Sequence, residues 1–166
     1  MNNCIQERIT SRILLLNEKN EIFLLRVLPN TIVIDPKNLL SGPYWITPGG
    51  GVEADESLLT AAQRELYEET GITDAEFSQA PVFYCENELI LRGTLTVFKE
   101  HFFLARVKNS IVSHENFNDE EKSIAAGSAW WNIHDLKTSS EIIFPKKLYT
   151  FLEPLVQGIT FQKHCK

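Results

Sequence analysis

Glu65, Glu68 and Glu69 fall in one short segment, RELYEETG, at spacings i, i+3 and i+4. On a helix at about 100° per residue these carboxylates share one face roughly 100° wide. Like charges so placed repel, each pair costing roughly 0.2–0.5 kcal/mol in an isolated helix. Glu68 and Glu69 also fall in the last turn of the predicted helix, where its dipole disfavours anions. Bound cations would offset this strain. Hard divalent ions such as Mg²⁺ take carboxylate oxygens and keep open positions for phosphate. The plain alternative is a solvated acidic helix face, which a bare ExxEE run would support. Arg64 has two readings, orienting the neighbouring carboxylates or contacting phosphate directly, and its place beside the cluster favours the first. Gly49, Gly50 and Gly51 let the backbone approach a ligand closely, and a carbonyl there can serve as a ligand.

The elements that position these groups follow from local pattern. Asp55 suits an N-cap and Gly71 a C′ residue, which predicts a helix over about 57–70, with Leu59, Ala62 and Leu66 on its buried face. Ile9 to Leu16 and Glu21 to Val27 read as strands joined by the Asn17–Asn20 turn, hence a hairpin. The loop from Leu28 to Pro43 is long enough to wall a pocket, and Thr31 to Ile34 is a short strand within it. Tyr44 to Thr47 is a short apolar segment. Ala75 to Cys85, Gly93 to Val107 and Ala129 to Asn132 carry strand-like content. Asn109 to Ala126 is a polar connection with one helical turn near Glu120. Phe144 to Val156 forms a second amphipathic helix, Pro145 in its first turn. Mixed strands and helices without regular βαβ alternation indicate an α+β layered domain.

At 166 residues the chain is expected to be a single domain, 1–166, with one buried core. Its net charge of −6 argues against nucleic-acid binding, and no apolar run reaches membrane-spanning length. No apolar leader stands at the N-terminus, and Cys4, Cys85 and Cys165 form no CxxC pair. Free thiols and a cytoplasmic location are therefore expected. His101, His114, His134 and His164 are dispersed without metal-ligand spacing. Of the adjacent pair Trp130 and Trp131, strand alternation lets one ring face inward, and Trp131 is expected to pack on the C-terminal helix. Tyr44 and Phe83 suit core or rim packing more than base stacking.

From Gly50 to Ile72 the full register is G-x5-E-x7-R-E-L-x-E-E-x-G-I. It resembles the Nudix box at every defined position. The flanks agree: Trp45-x-x-Pro48-Gly49-Gly50 before it, and Trp131 with Leu136 ahead of the C-terminal helix after it. The resemblance implies a Nudix-type α/β/α sandwich, with a mixed β-sheet between helices. It also implies hydrolysis of a nucleoside diphosphate linked to some group X. Carried onto this chain, Glu65, Glu68 and Glu69 would hold Mg²⁺ or Mn²⁺, with Glu56 and Arg64 supporting them, while Gly50 shapes the loop and Gly71 the helix end. The proton acceptor would be Glu68 in the box, or Glu120 or Glu121 in the loop before the last strand, and the distal choice is favoured. Arg26, ending the second strand, stands where relatives often present a cation to substrate; a surface arginine is the plain alternative.

The expected partner is a small nucleotide, and a homodimer accords with the resemblance. Subfamily markers are missing. Pro81 comes too early for the ADP-ribose pyrophosphatase proline, and Leu89 and Ile90 fill the place of the dinucleoside polyphosphate tyrosine. A nucleotide-sensing domain is the alternative from another class, but such sensors commonly lose box glutamates that this chain keeps. An isopentenyl-diphosphate-type isomerase ranks last, with Cys85 only a loose counterpart for its cysteine.

Overall fold

The computed structural model describes residues 5–30, 32–37, 40–159 and 163–164. Its centre is β1 (Gln6–Leu16), which lies parallel to β8 (Thr94–Arg106) in register from Gln6↔Thr96 to Leu16↔Arg106. β7 (Phe83–Leu91) returns antiparallel on β8 through the Arg92–Gly93 turn, both residues at positive φ. On the other side stand β2 (Ile22–Val27), β4 (Tyr44–Ile46) and β10 (Ile143–Phe144). β9 (Ala125–Trp131) also pairs with β2. The short strands β3 (Val33–Ile34), β5 (Gly49–Gly51), β6 (Glu76–Phe77) and β11 (Lys163–His164) pair with β7, β1, β8 and β7.

β1 is continuously apolar at its end because both faces of the sheet are covered. Leu14 and Leu16 join Leu24, Phe102, Leu152 and Leu155 in a core closed by α4 (Tyr149–Val156). Ile13 and Leu15 join Phe23, Phe103, Ala62 and Leu66 in a second core closed by α1 (Leu58–Thr70). Each leucine, isoleucine or phenylalanine so buried contributes roughly 1.5–3 kcal/mol. The α+β architecture is thus a mixed sheet between helices.

Several elements differ from expectation. β1 and β2 share the single register pair Leu16↔Ile22, so the hairpin diverges at once. β5 takes the neighbouring place beside Thr10–Arg12. Ser57 caps α1 by accepting from the Thr60 amide, whereas Asp55 takes a left-handed φ of 62°. α4 begins at Tyr149, after Lys147 at φ 56°, so Pro145 lies ahead of the helix. β9 starts four residues before the expected Ala129, and α3 (Ile133–Thr138) follows it unannounced. Trp130 and Trp131 both pack, on opposite faces: Trp130 lies 5.3 Å from Phe23 and Trp131 5.1 Å from Trp45. Both faces of the sheet are covered here, so alternation turns each ring toward a core and neither toward open solvent. Phe83 is a core residue stacked on Phe151 at 4.0 Å. Cys85 is disulfide-bonded, which corrects the expectation of a free thiol there. Cys4, Cys165 and Thr31 lie outside the described residues.

Gly49 carries a strict backbone demand. Its φ is 131°, and an added Cβ would meet the Ser11 carbonyl oxygen at 2.2 Å and Arg12 Cα at 2.7 Å. Backbone cannot yield as a side chain does. Gly49→Ala is expected to lower stability by about 3 kcal/mol or more, a fall in Tm of about 6–12 °C in a scanning melt.

Candidate active site

The glycine strand and α1 hold the carboxylates against one another. Gly50 faces Glu65 so closely that a Cβ would lie 2.5 Å from Oε1. The Gly49 amide donates to Glu69 Oε2 at 2.7 Å. Gly71, at φ 71°, closes the helix by donating its N–H to the Tyr67 carbonyl. Arg64 is wholly engaged with the carboxylates and the loop. Its Nε donates to Glu56 Oε1 at 2.8 Å, and Nη1 to Glu65 Oε1 at 2.9 Å and Glu68 Oε2 at 3.1 Å. Nη2 reaches the Gly51 carbonyl at 3.0 Å and Glu56 Oε2 at 3.1 Å. This is the orienting arrangement, and little of the fork is left for phosphate.

Glu121 arrives from a separate part of the chain. It lies on α2 (Asp119–Ile124), whose capping box joins the Asn118 side chain to the Glu121 amide and Glu121 Oε2 to the Asn118 amide. Oxygens of Glu65, Glu68 and Glu121 converge within 4.8 Å of one another. Glu69 lies outside this convergent trio, one of its oxygens being taken by Gly49. Glu120 turns away to pair with Arg92 at 2.9 Å.

The electrostatics match the crowding. Glu65 and Glu69 are each only 7% exposed. Burial raises the Glu65 carboxyl above the usual range although Arg64 pulls it down. Burial and the Glu65 charge push Glu69 well up, against the Gly49 amide and Arg12. Glu56, hydrogen-bonded by Arg64, is held below the ordinary carboxylate value. The Arg64 guanidinium is correspondingly more basic through Glu56.

Across β1 from the helix is a cavity of about 880 Å³. Ser11 points to the helix side, its Oγ donating to the Leu58 carbonyl. Arg12 points to the cavity, which Tyr44, Phe98, Asn87, Lys147 and Glu120 also line. Arg26 does not line this cavity. It stands 5.8 Å over the Trp45 ring with Nε buried and unpartnered among the described residues. Sequence reasoning missed Arg12, Glu100 and His114. A charged residue within the apolar run ITSRILLL was the available signal for Arg12. His114 bridges the Glu69 carbonyl at 2.8 Å and Ser128 Oγ at 2.9 Å, tying the helix end to β9; its spacing gave no sign of this.

Residues 7–152 match the model of the NUDIX domain. The chain belongs to the Nudix family. It is a Nudix hydrolase with every defined box residue in place, and the box helix seen here is the expected one. An RNA pyrophosphohydrolase of Pelagibacter ubique is 41% identical over 84% of this chain and 83% of its own length. The Nudix hydrolase YfcD of Salmonella typhi is 43% identical over 54 residues, which span only 29% of that protein and 32% of this one. Among solved structures, the MutT protein of Methanosarcina mazei Go1 superimposes with a TM-score of 0.62 at 23% identity, over 93% of this chain and 96% of its own, a likeness of fold. Among the described residues no helix of this Nudix chain is long and apolar enough to cross a membrane.

Proposed function

We propose that this Nudix hydrolase cleaves a pyrophosphate bond in a small nucleotide derivative, using a divalent cation, Mg²⁺ or Mn²⁺. The observation that carries the reading is the convergence of Glu65, Glu68 and Glu121 within 4.8 Å, from elements more than fifty residues apart; a cavity of nucleotide size lies on the other side of β1. The donor set is all carboxylate oxygen, without thiol or imidazole, as a hard cation requires. Glu65 and Glu68 would hold the ion, with Glu69 behind them contributing negative charge and fixing the Gly49 loop. When bound, such an ion supplies charge neutralisation and Lewis acidity. Arg64 and Glu56 keep the carboxylates oriented. Glu121 accepts the proton of the attacking water, since one oxygen is fixed by the Asn118 amide while its carboxylate faces the cluster.

The relative in Pelagibacter brings RNA into the range of substrates to test, although the charge of −6 favours a small nucleotide. Purified protein with Mg²⁺ or Mn²⁺ would be offered nucleoside triphosphates, ADP-ribose, dinucleoside polyphosphates, nucleotide sugars and 5′-triphosphorylated RNA. Turnover of at least one, abolished by chelator, is expected. Tight nucleotide binding with no turnover on any would replace this reading with a nucleotide sensor.

A further inference from the structure

Arg12 stands where the carboxylate site meets the cavity. Its side chain is 19% exposed. Nε donates to Glu100 Oε1 at 3.0 Å, and Nη1 to the Gly49 carbonyl at 2.9 Å. Asn87 Nδ2 donates to the other Glu100 oxygen at 2.6 Å, so Glu100 is held by both neighbours. The Nη2 amino group of Arg12 donates to none of the described residues. Arg12 thus reaches the glycine loop that holds Glu69 and lines the cavity together with Tyr44. Its cation is therefore felt on both sides, by the carboxylates and by the aromatic cavity wall. A guanidinium taken from water is kept where its charge is paired and its donors are met. Glu100 meets the first need and leaves part of the second open.

We propose that Arg12 is a substrate-binding residue whose Nη2 group takes a phosphate oxygen of the nucleotide on the cavity side of the carboxylate cluster. Glu100 and Asn87 fix the plane of the fork. The bond to the Gly49 carbonyl keeps it in register with the loop that also holds Glu69. A rigid fork suits phosphate better than the point charge of lysine. The proposal rests on the pyrophosphohydrolase reading and names one contact within it.

The test is calorimetric titration of methylenediphosphonate, with Mg²⁺ in excess, into the parent chain, Arg12→Gln and Arg12→Lys. Arg12→Gln is expected to weaken binding about 10–100-fold, the loss of a charge-assisted hydrogen bond. Mn²⁺ affinity measured without diphosphonate should stay within about threefold, and the salt dependence of diphosphonate binding should flatten for Gln and persist for Lys. Parent-like diphosphonate binding by Arg12→Gln would overturn the proposal. An equal loss of Mn²⁺ affinity would overturn it as well, because Arg12 would then act only by holding the glycine loop. Should Arg12→Gln fail to fold, Arg12→Lys decides: weaker binding with the salt dependence kept supports the contact, and parent-like affinity removes it. If the parent turns over no substrate but loses diphosphonate affinity on Arg12→Gln, the hydrolase reading fails and this contact stands.

Discussion

Glu65→Gln is expected to reduce turnover by at least about 10²–10³-fold, a loss of the size seen when one group that stabilises transition-state charge is removed, and at the same time to stabilise the metal-free protein at neutral pH. Both effects come from one carboxylate. In the folded chain it is buried against Gly50 and its pKa is raised. Its ionised form is therefore disfavoured by folding. Gln is neutral, fits the same space and still accepts from Arg64 through its amide oxygen. The gain is full above the folded-state pKa, shrinks as pH falls through it, and vanishes below the unfolded value of about 4.3. Mg²⁺ should reverse the ranking. At a concentration 100 times its Kd the ion adds about 2.7 kcal/mol to a protein that binds it, worth roughly 5–10 °C in Tm for a chain of this length. Thermal melts of both proteins across pH, with Mg²⁺ and with chelator, check this. A Glu65→Gln variant that melts below the parent in chelator at neutral pH would overturn the buried-charge argument, and one that keeps the parent's Mg²⁺ response would remove the ion-binding role.

The second large effect is expected at Glu121. Glu121→Gln should lower kcat about 10²–10⁴-fold, the range for loss of a positioned proton acceptor. Its Oε1 can still accept from the Asn118 amide, so the capping box and α2 should survive, as a circular dichroism spectrum would show. Mn²⁺ affinity should change by less than the roughly tenfold expected when a group that tunes a metal site is lost. A parallel collapse of kcat and cation affinity would instead make Glu121 a ligand. Glu120→Gln is the internal comparison. Its partner is Arg92 at the surface, and turnover should change little, surface pairs of this kind being worth 0–1 kcal/mol or so.

How much of this was legible follows the distance between cooperating residues. Glu65, Glu68, Arg64 and the glycines lie within one helix and its approach, so helical geometry alone brought them together. Gly71 needed only its own φ. The exchange of Asp55 for Ser57 as cap is a shift within one turn, where either residue type would serve. Arg12 and Glu100 are 88 positions apart, and their pairing depends on β1 lying parallel to β8. No local pattern encodes that choice. Glu121 could be named only as one of two adjacent acids; the capping box on Asn118 turned it toward the cluster and left Glu120 to Arg92. The tryptophans show the same limit, since facing directions along β9 follow from strand geometry while the covering of both faces belongs to the whole sheet.

The Arg64 bracing has a kinetic corollary. Glu56, Glu65, Glu68 and the Gly51 carbonyl are all drawn onto one guanidinium. Loading therefore demands little rearrangement of the chain. The slow event should be the shedding of water by the incoming ion, which Mg²⁺ does reluctantly. The protein then behaves as a ready-cast mould, and how soon it becomes competent after mixing is a property of the metal's own solvation shell.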